Sequence, residues 1–581
     1  MKYRSIISLL NLWSELKNYH KVLFISVCAS SIFVALLESL VLFSFIPFIT
    51  SLTGETSSKS YTVIPDFLNF FNFAQDEGNT QSFLVFIFIV FLSAICRLGY
   101  IYLTNRTSAI IGSYLSRKTY QVLLNKPYLE QVSKDTGYVI QMISTNVKRV
   151  VGIISSCSFI ISSTLLSSAI LYVLIRTNFT ITILILLVLL LTYLFIFNFS
   201  KGVLYKQGEI VRINEQKVIS IVKESLDSIR DIIISDLYSK YISKFTPLDI
   251  EKRRLQAKAS FIAQYPRYII EALMIAIMTS IALFLNNQDD SYNILATLAI
   301  FTLGFLRILS PIQIIYLNLA NIQSFSPALD ALINCIKETS KHNKIIRKNY
   351  KVETELIDNV GFPDAPIIEL SNVSFKYPNS DFFTLKNIDL TFEIGRSYAI
   401  VGPSGAGKST LQDLILGLLP STKGAIFFKG IDLSIYQNRL LYHTFIAHVP
   451  QTPLIVNSSI KDNIIFGNNE DLNNNRLKTS ILSSELISLI KNQGDDFICG
   501  ENGSKLSGGQ KQRLAIARAL YSEKDILFLD ESTSALDAKT EKIILKNIFE
   551  NYKNKTIISI THKKNTLKYY DHVIDLTKLM Q

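Results

Sequence analysis

Apolar residues fill the first half of the chain in long runs, whereas the second half alternates short apolar runs with polar turns. Six of the long runs, near 22–49, 82–104, 151–175, 179–199, 260–285 and 293–321, are long enough to cross a hydrocarbon layer of about 30 Å as helices. Ahead of them Ile6, Ile7, Leu9, Leu10, Trp13 and Leu16 fall near one helical face within 1–21, and no small-residue cleavage site follows. That pattern predicts an interfacial helix rather than a cleaved signal. The segments after the second and fourth runs are about 45 to 60 residues long and keep an apolar periodicity. They predict helices that leave the membrane, with tips around 137–146 and 227–234 available to another domain. After Lys341 the long runs stop. The expected organisation is a multi-domain membrane protein: a six-helix all-α transmembrane domain over 1–340, a polar linker over 341–366, and an α/β domain over 367–581.

Charge placement orients the runs. The segment after the second carries Arg106, Arg117, Lys118, Lys126, Lys148 and Arg149, and that after the fourth carries Lys201, Lys206, Arg212, Lys217, Lys223 and Arg230. The loop after the first run has only Lys59, and 286–290 has no basic residue. Positive-inside logic places the long basic segments and both termini in the cytoplasm. On the outer side, the aromatic-rich stretch 64–73 begins with Pro65 and Asp66 and predicts a short helix on the outer leaflet or over the bundle.

Composition agrees with a membrane protein: 581 residues with 18% charged side chains and a mean hydropathy of +0.29. The net charge of +12 is dispersed, with no aromatic-interleaved basic patch, so nucleic acid is not an expected partner. The five cysteines, Cys28, Cys96, Cys157, Cys335 and Cys499, form no C-x-x-C pair and suggest neither a disulfide framework nor a zinc site.

Glu38, Arg97, Arg267, Glu271 and Arg307 fall inside or at the edges of the apolar runs, where a charge is expensive. Two readings are open. Arg97, Arg267 and Arg307 converge on a phosphate-bearing substrate, whose geometry the guanidinium fork suits. Alternatively Arg97 and Arg267 snorkel to the inner interface, or pair with Glu38 and Glu271.

The chemistry of the second half centres on Gly402, Pro403, Ser404, Gly405, Ala406, Gly407, Lys408, Ser409 and Thr410. A G-x-x-x-x-G-K-[ST] loop between a strand run and helical spacing cradles phosphates with its backbone N–H groups. Lys408 is suited to the β- and γ-phosphates and Ser409 to Mg²⁺, while the following helix aims its dipole at the anion. Tyr377, about 25 residues upstream, suits either adenine stacking or core packing. Gln451 follows a strand-like run and is suited to Mg²⁺ and the attacking water. The strand-like 526–529 ends in Asp530, for Mg²⁺ through water, and Glu531, to polarise the nucleophilic water. His562 follows another strand run and suits either contact with the γ-phosphate or a strand-end place at the surface. Leu506, Ser507, Gly508, Gly509 and Gln510 open a helix and make a second anion site. One nucleotide does not need two such sites in one chain, so this one is expected to serve a nucleotide held by another subunit.

These residues together resemble the ATP-binding cassette transporters, as an exporter-type half-transporter, over essentially the whole chain. The resemblance implies that Tyr377 is the A-loop aromatic, 402–409 Walker A, Gln451 the Q-loop, 506–510 the signature, Asp530 Walker B, Glu531 the catalytic acid, 534–537 the D-loop and His562 the switch histidine. It implies further that Glu501 lies in an X-loop that touches the cytoplasmic helix tips. Over 37–39, 46–50, 266–271 and 306–311 the membrane half is similar to flippases of lipid-linked oligosaccharides. Their cavity arginines bind pyrophosphate, and Arg97, Arg267 and Arg307 lie in comparable contexts. The expectation is an ATP- and Mg²⁺-dependent homodimer in a bacterial inner membrane, with both termini and the ATPase domain cytoplasmic. Its surroundings are membrane lipid and its cargo a lipid-linked (polyprenyl-diphosphate) oligosaccharide. The alternatives are export of a peptide, microcin or drug and, remotely, a cassette ATPase outside transport, which the six spans disfavour.

Overall fold

In the computed structural model the described residues are 4–53, 79–133, 135–177, 179–286, 291–347, 366–378, 380–467 and 473–579. The expected outer segment 64–73 and most of the linker lie outside them. The chain divides into two compact units, Met1–Lys126 with Glu130–Lys341, and Pro127–Leu129 with His342–Gln581.

The described residues of the first unit are built of helices. After Arg4–Glu15 come Asn18–Thr53, Asn79–Leu124, Val147–Thr177, Phe179–Asp227, Tyr238–Asn286 and Ser291–Arg347. Helices of 46, 49 and 57 residues run about 70 to 85 Å at 1.5 Å per residue, more than twice the hydrocarbon thickness. The apolar runs are therefore parts of longer rods. Among the described residues five helices are long and apolar enough to cross a membrane. The expected run 260–285 lies in Tyr238–Asn286. The last helix continues to Arg347, through the expected domain boundary at 340, because its polar continuation is made of residues that tolerate helix.

The expected tips have distinct forms. Over 137–146 the helix Thr136–Gln141 passes into a π turn, Met142–Asn146, and over 227–234 the chain breaks at Ser228 before the short helix Ile229–Ile234. The first helix buries Leu12, and the chain just after it Leu16, against the bundle, while Ile7 and Leu10 are exposed. Its apolar stripe thus divides between protein and surroundings. Asp330 ties it in place, accepting from Ser8 Oγ and, at 3.1 Å, from Tyr205.

Two prolines interrupt backbone ladders near the charged positions. A helical proline removes the donor that the carbonyl four residues earlier would receive. For Pro266 that carbonyl is Ile262, and the Tyr316 hydroxyl replaces the lost donor at 3.2 Å. Pro311 does the same to the carbonyl of Arg307.

Among its described residues the second unit holds two sheets. Four strands pair antiparallel in the order β2 (Leu385–Phe392), β1 (Ile368–Phe375), β4 (Lys423–Phe428), β5 (Ile431–Asp432). Five strands pair in parallel in the order β6 (Ile446–Val449), β7 (Ile526–Asp530), β8 (Thr556–Ile560), β3 (Ser397–Val401), β9 (His572–Asp575). Every residue of β8 is buried, as are the first four of β3 and of β7. That is why these segments read as continuous apolar runs rather than alternations. Each fully buried isoleucine there contributes about 1.5–3 kcal/mol.

Candidate functional site

Parallel order is what assembles the site. Strands β6, β7, β8 and β3 are neighbours pointing the same way. The segments that leave their carboxyl ends therefore share one edge of the sheet, where open α/β folds bind ligands. Gln451 follows β6, Asp530 and Glu531 end β7, His562 follows β8, and 402–410 follows β3. Residues more than a hundred positions apart become neighbours through this order alone.

In the phosphate-type loop Gly405 and Gly407 both have φ +85°, a conformation that disfavours a Cβ, and a Cβ on Gly407 would stand 3.0 Å from Leu385. Gly407 precedes the helix Lys408–Ile415. Lys408 is buried, and its Nζ donates to the carbonyls of Gly402 and Pro403 at 2.8 Å each, across the concave side of the loop. Ser409 is exposed at the helix start. Tyr377 meets the Thr410 hydroxyl at 3.1 Å and Phe375 edge-on, so it reaches the loop while half packed in the core. The open amides, exposed hydroxyl and nearby carboxylates fit a Mg²⁺-bound nucleoside triphosphate.

Glu531 is the centre of the strand-end cluster. Its φ of +42° is a strained backbone for a side chain this long, and its N–H donates to the Ile560 carbonyl at 3.1 Å. Each carboxylate oxygen has a partner: Gln451 Nε2 donates to Oε2 at 2.8 Å and His562 Nε2 lies 3.1 Å from Oε1. Three residues expected to act together are thus in direct contact.

Two further residues belong here. Gln412, buried in the helix after the loop, donates to Asp530 Oδ2 at 3.2 Å and approaches His448 Nε2 at 3.3 Å. Burial lowers the His448 pKa, against the opposing pull of Asp530, and keeps the ring neutral near pH 7. An amide N–H₂ facing Nε2 then requires the tautomer with an unprotonated Nε2. Asp413 next along the helix is pushed up to about 6, first by burial and then by the Asp530 charge. Sequence reasoning missed Gln412 and His448. Their only signal was polarity at helix and strand positions that otherwise face a core.

The second anion element is built by a capping box. Ser507 Oγ accepts from the Gln510 N–H at 3.3 Å and Gln510 Oε1 accepts from the Ser507 N–H at 2.8 Å, opening the helix Gly508–Tyr521. Among the described residues no hydrogen bond joins Ser507 or Gln510 to the 402–410 loop. Instead Gln512 bonds Ser534 Oγ and the Ala535 N–H at 2.9 Å each, fixing this helix to 534–537, and Asp537 caps the next helix at Thr540. Glu501 is exposed, next to Gly500 at φ +79°.

In the first unit, Glu38 stands between two of the three arginines. Arg97 Nη1 lies 3.5 Å from Oε1 and Arg307 Nη1 3.1 Å from Oε2. Glu38, Arg97 and Arg307 line a cavity of about 350 Å³ with Val41, Ser93, Ile170, Leu306, Ser310 and others. Arg267 is exposed and does not line that cavity.

Residues 385–534 match the ABC transporter family. A putative export ATP-binding/permease protein of Rickettsia prowazekii is 27% identical over 86% of this chain and 85% of its own length. The ATP-dependent lipid A-core flippase of Escherichia coli is 37% identical over 36% of each chain. A probable multidrug resistance ABC transporter ATP-binding/permease protein of Bacillus subtilis is 34% identical over 42% of this chain and 43% of its own. The structure of a bacterial Atm1-family ABC exporter with ATP bound covers 95% of this chain and 93% of that one, with a TM-score of 0.69 at 20% identity, a likeness of fold.

Proposed function

The chain is an ABC half-transporter of the export type, a membrane-spanning ATP hydrolase, and we propose from that premise that it moves a lipid-linked glycan with an anionic phosphoryl head. The observation that carries this reading is the meeting of Arg97 and Arg307 in a cavity whose other walls are largely apolar. Guanidinium forks suit a diphosphate, apolar walls suit a prenyl chain, and the pair of features fits an amphiphile better than a peptide. Arg267 lies outside that cavity and carries no part of this reading. The Escherichia coli relative named as a lipid A-core flippase is in keeping with a lipid cargo.

In the working assembly two copies close head to tail in a bacterial inner membrane, the ATPase units in the cytoplasm. Lys408 and the 402–410 amides of one copy hold the phosphates and the partner's Ser507 faces the γ-phosphate. Ser409, Gln451 and Asp530 would hold Mg²⁺, which supplies neutralisation of the phosphate charge when bound. Glu531 takes the proton of the attacking water, His562 contacts the γ-phosphate, and Tyr377 stacks on adenine. Closure is carried to the spans through the tips at 137–146 and 227–234.

Reconstituted in liposomes, the protein should show ATPase stimulation by polyprenyl-diphosphate glycans and none by unmodified peptides. Stimulation by peptides or drugs alone would overturn the cargo assignment and leave the ATPase assignment standing.

A further inference from the structure

Resting on the reading of the cavity as a site for an anionic head, we propose that Glu38 is a tethered competitor for that head. Its carboxylate holds Arg97 and Arg307 between turnovers, yields them to the phosphoryl group, and takes them back to drive release.

The contact geometry motivates this. Each guanidinium has five N–H donors, yet each gives Glu38 a single nitrogen, at 3.5 Å and 3.1 Å. Most of each fork is thus left to meet another anion, whose oxygens a guanidinium can bind two at a time. The burial is unequal as well: the Glu38 side chain is 13% exposed, while those of Arg97 and Arg307 are 50% and 34% exposed. The carboxylate is set back and the cations face the cavity, with most of their donors uncommitted to it.

Height and lining agree. Glu38, Arg97 and Arg307 lie 15, 18 and 16 residues from the ends of their helices at Thr53, Asn79 and Ser291. At 1.5 Å per residue that is about 22–27 Å for all three, one level in the bundle. Ser93 and Ser310 add hydroxyls beside the charges, and Pro311 leaves the Arg307 carbonyl without its helical donor. The rest of the wall includes Val41, Leu166, Ile170 and Leu306. This is room for a charged head with an apolar neighbour.

Two arginines and one glutamate leave a single positive charge. A diphosphate offers more oxygens and more charge than one carboxylate, so it wins the forks on contact, but the two anions repel at such range. Because Glu38 is covalently attached, it competes at a high effective concentration at every turnover. A transporter must bind its cargo differently in its two states, and an attached competitor lowers the barrier to letting go.

The test uses the full-length protein in lipid nanodiscs with farnesyl diphosphate as the probe. Wild-type binding should be lost in Arg97→Ala and Arg307→Ala. Glu38→Gln should tighten binding and slow dissociation on the order of tenfold, within the range usual for coupling between two binding events. If the arginine variants bind as wild type, the reading of the cavity as a head-group site fails. If they lose the probe but Glu38→Gln binds it no more tightly, the competitor is overturned and the cavity reading survives. Should Glu38→Gln not elute as a folded protein, Glu38→Asp takes its place: the shorter arm retracts the carboxylate and must tighten binding by a few-fold, and unchanged affinity overturns the inference. Inorganic pyrophosphate bound as tightly as farnesyl diphosphate would overturn the amphiphilic part.

Discussion

Two carboxylates, one in each unit, are gripped in the same way and suited to opposite tasks. Glu531 gives one oxygen to Gln451 and the other to His562, and Glu38 gives one to Arg97 and the other to Arg307. The partners make the difference. An amide and an imidazole orient Glu531, which in the proposed cycle takes a proton from water. Two permanent cations flank Glu38, which suits it to the part of a counter-ion. Bidentate-looking geometry around a carboxylate therefore says little until the charge of its partners is counted.

The comparison breaks first, and most severely, at Glu531. Glu531→Gln keeps the shape but removes the base, so ATP turnover should fall by about 10² to 10⁴ while ATP binding persists. Rates of phosphate release with a nucleotide-binding titration on the same preparation check this, and undiminished hydrolysis would remove Glu531 from the chemistry. The next largest effect is expected in the membrane. Arg97→Ala or Arg307→Ala should reduce flipping of a prenyl-diphosphate glycan by about tenfold or more, the loss of a charge-assisted contact of roughly 1.5–3 kcal/mol. Basal ATP hydrolysis should change far less. Equal losses in both assays would return the arginines to a purely structural role.

The two sites were not equally legible in the sequence. The loop 402–410, the acids ending β7 and the capping box at Ser507 are local: each function sits within a few consecutive residues, and chain direction supplies the geometry. The α/β domain and the long helices followed from period and length for the same reason. Glu38 is different, because its partners lie 59 and 269 positions away. Sequence allowed pairing, snorkelling or phosphate binding, and only helix packing shows that one glutamate serves two of the three arginines and leaves Arg267 out of that cavity. The π turn at Met142–Asn146 was equally silent, since one extra residue in a turn leaves apolar spacing almost unchanged.

Gln412 sharpens the comparison at intermediate size. It holds Asp530 with a neutral donor, as Gln451 holds Glu531. Gln412→Leu removes one hydrogen bond to a charged group, and the Mg²⁺ concentration for half-maximal ATPase should rise about tenfold. Gln412→Asn, which retains an amide on a shorter arm, should recover part of this. An unchanged Mg²⁺ requirement would leave Gln412 as packing.

The smallest effect concerns Asp413, a carboxylate acted on first by burial and then by the like charge of Asp530. Its folded pKa is raised from 3.8 to about 6. Below 3.8 the group is protonated in both states and costs nothing. Between 3.8 and about 6 the unfolded chain loses the proton while the folded one keeps it, so the folded state is progressively penalised as pH rises. Above about 6 the penalty is complete. Because the side chain is only partly buried, solvent screening cuts the penalty to about 1 kcal/mol or less. Asp413→Asn should therefore raise the unfolding midpoint of the ATPase unit by a few degrees at pH 7.5, less at pH 5, and not at all near pH 4. A shift of equal size at every pH would mean that the substitution acts through packing rather than charge, and would set Asp413 apart from the electrostatics that separate Glu531 from Glu38.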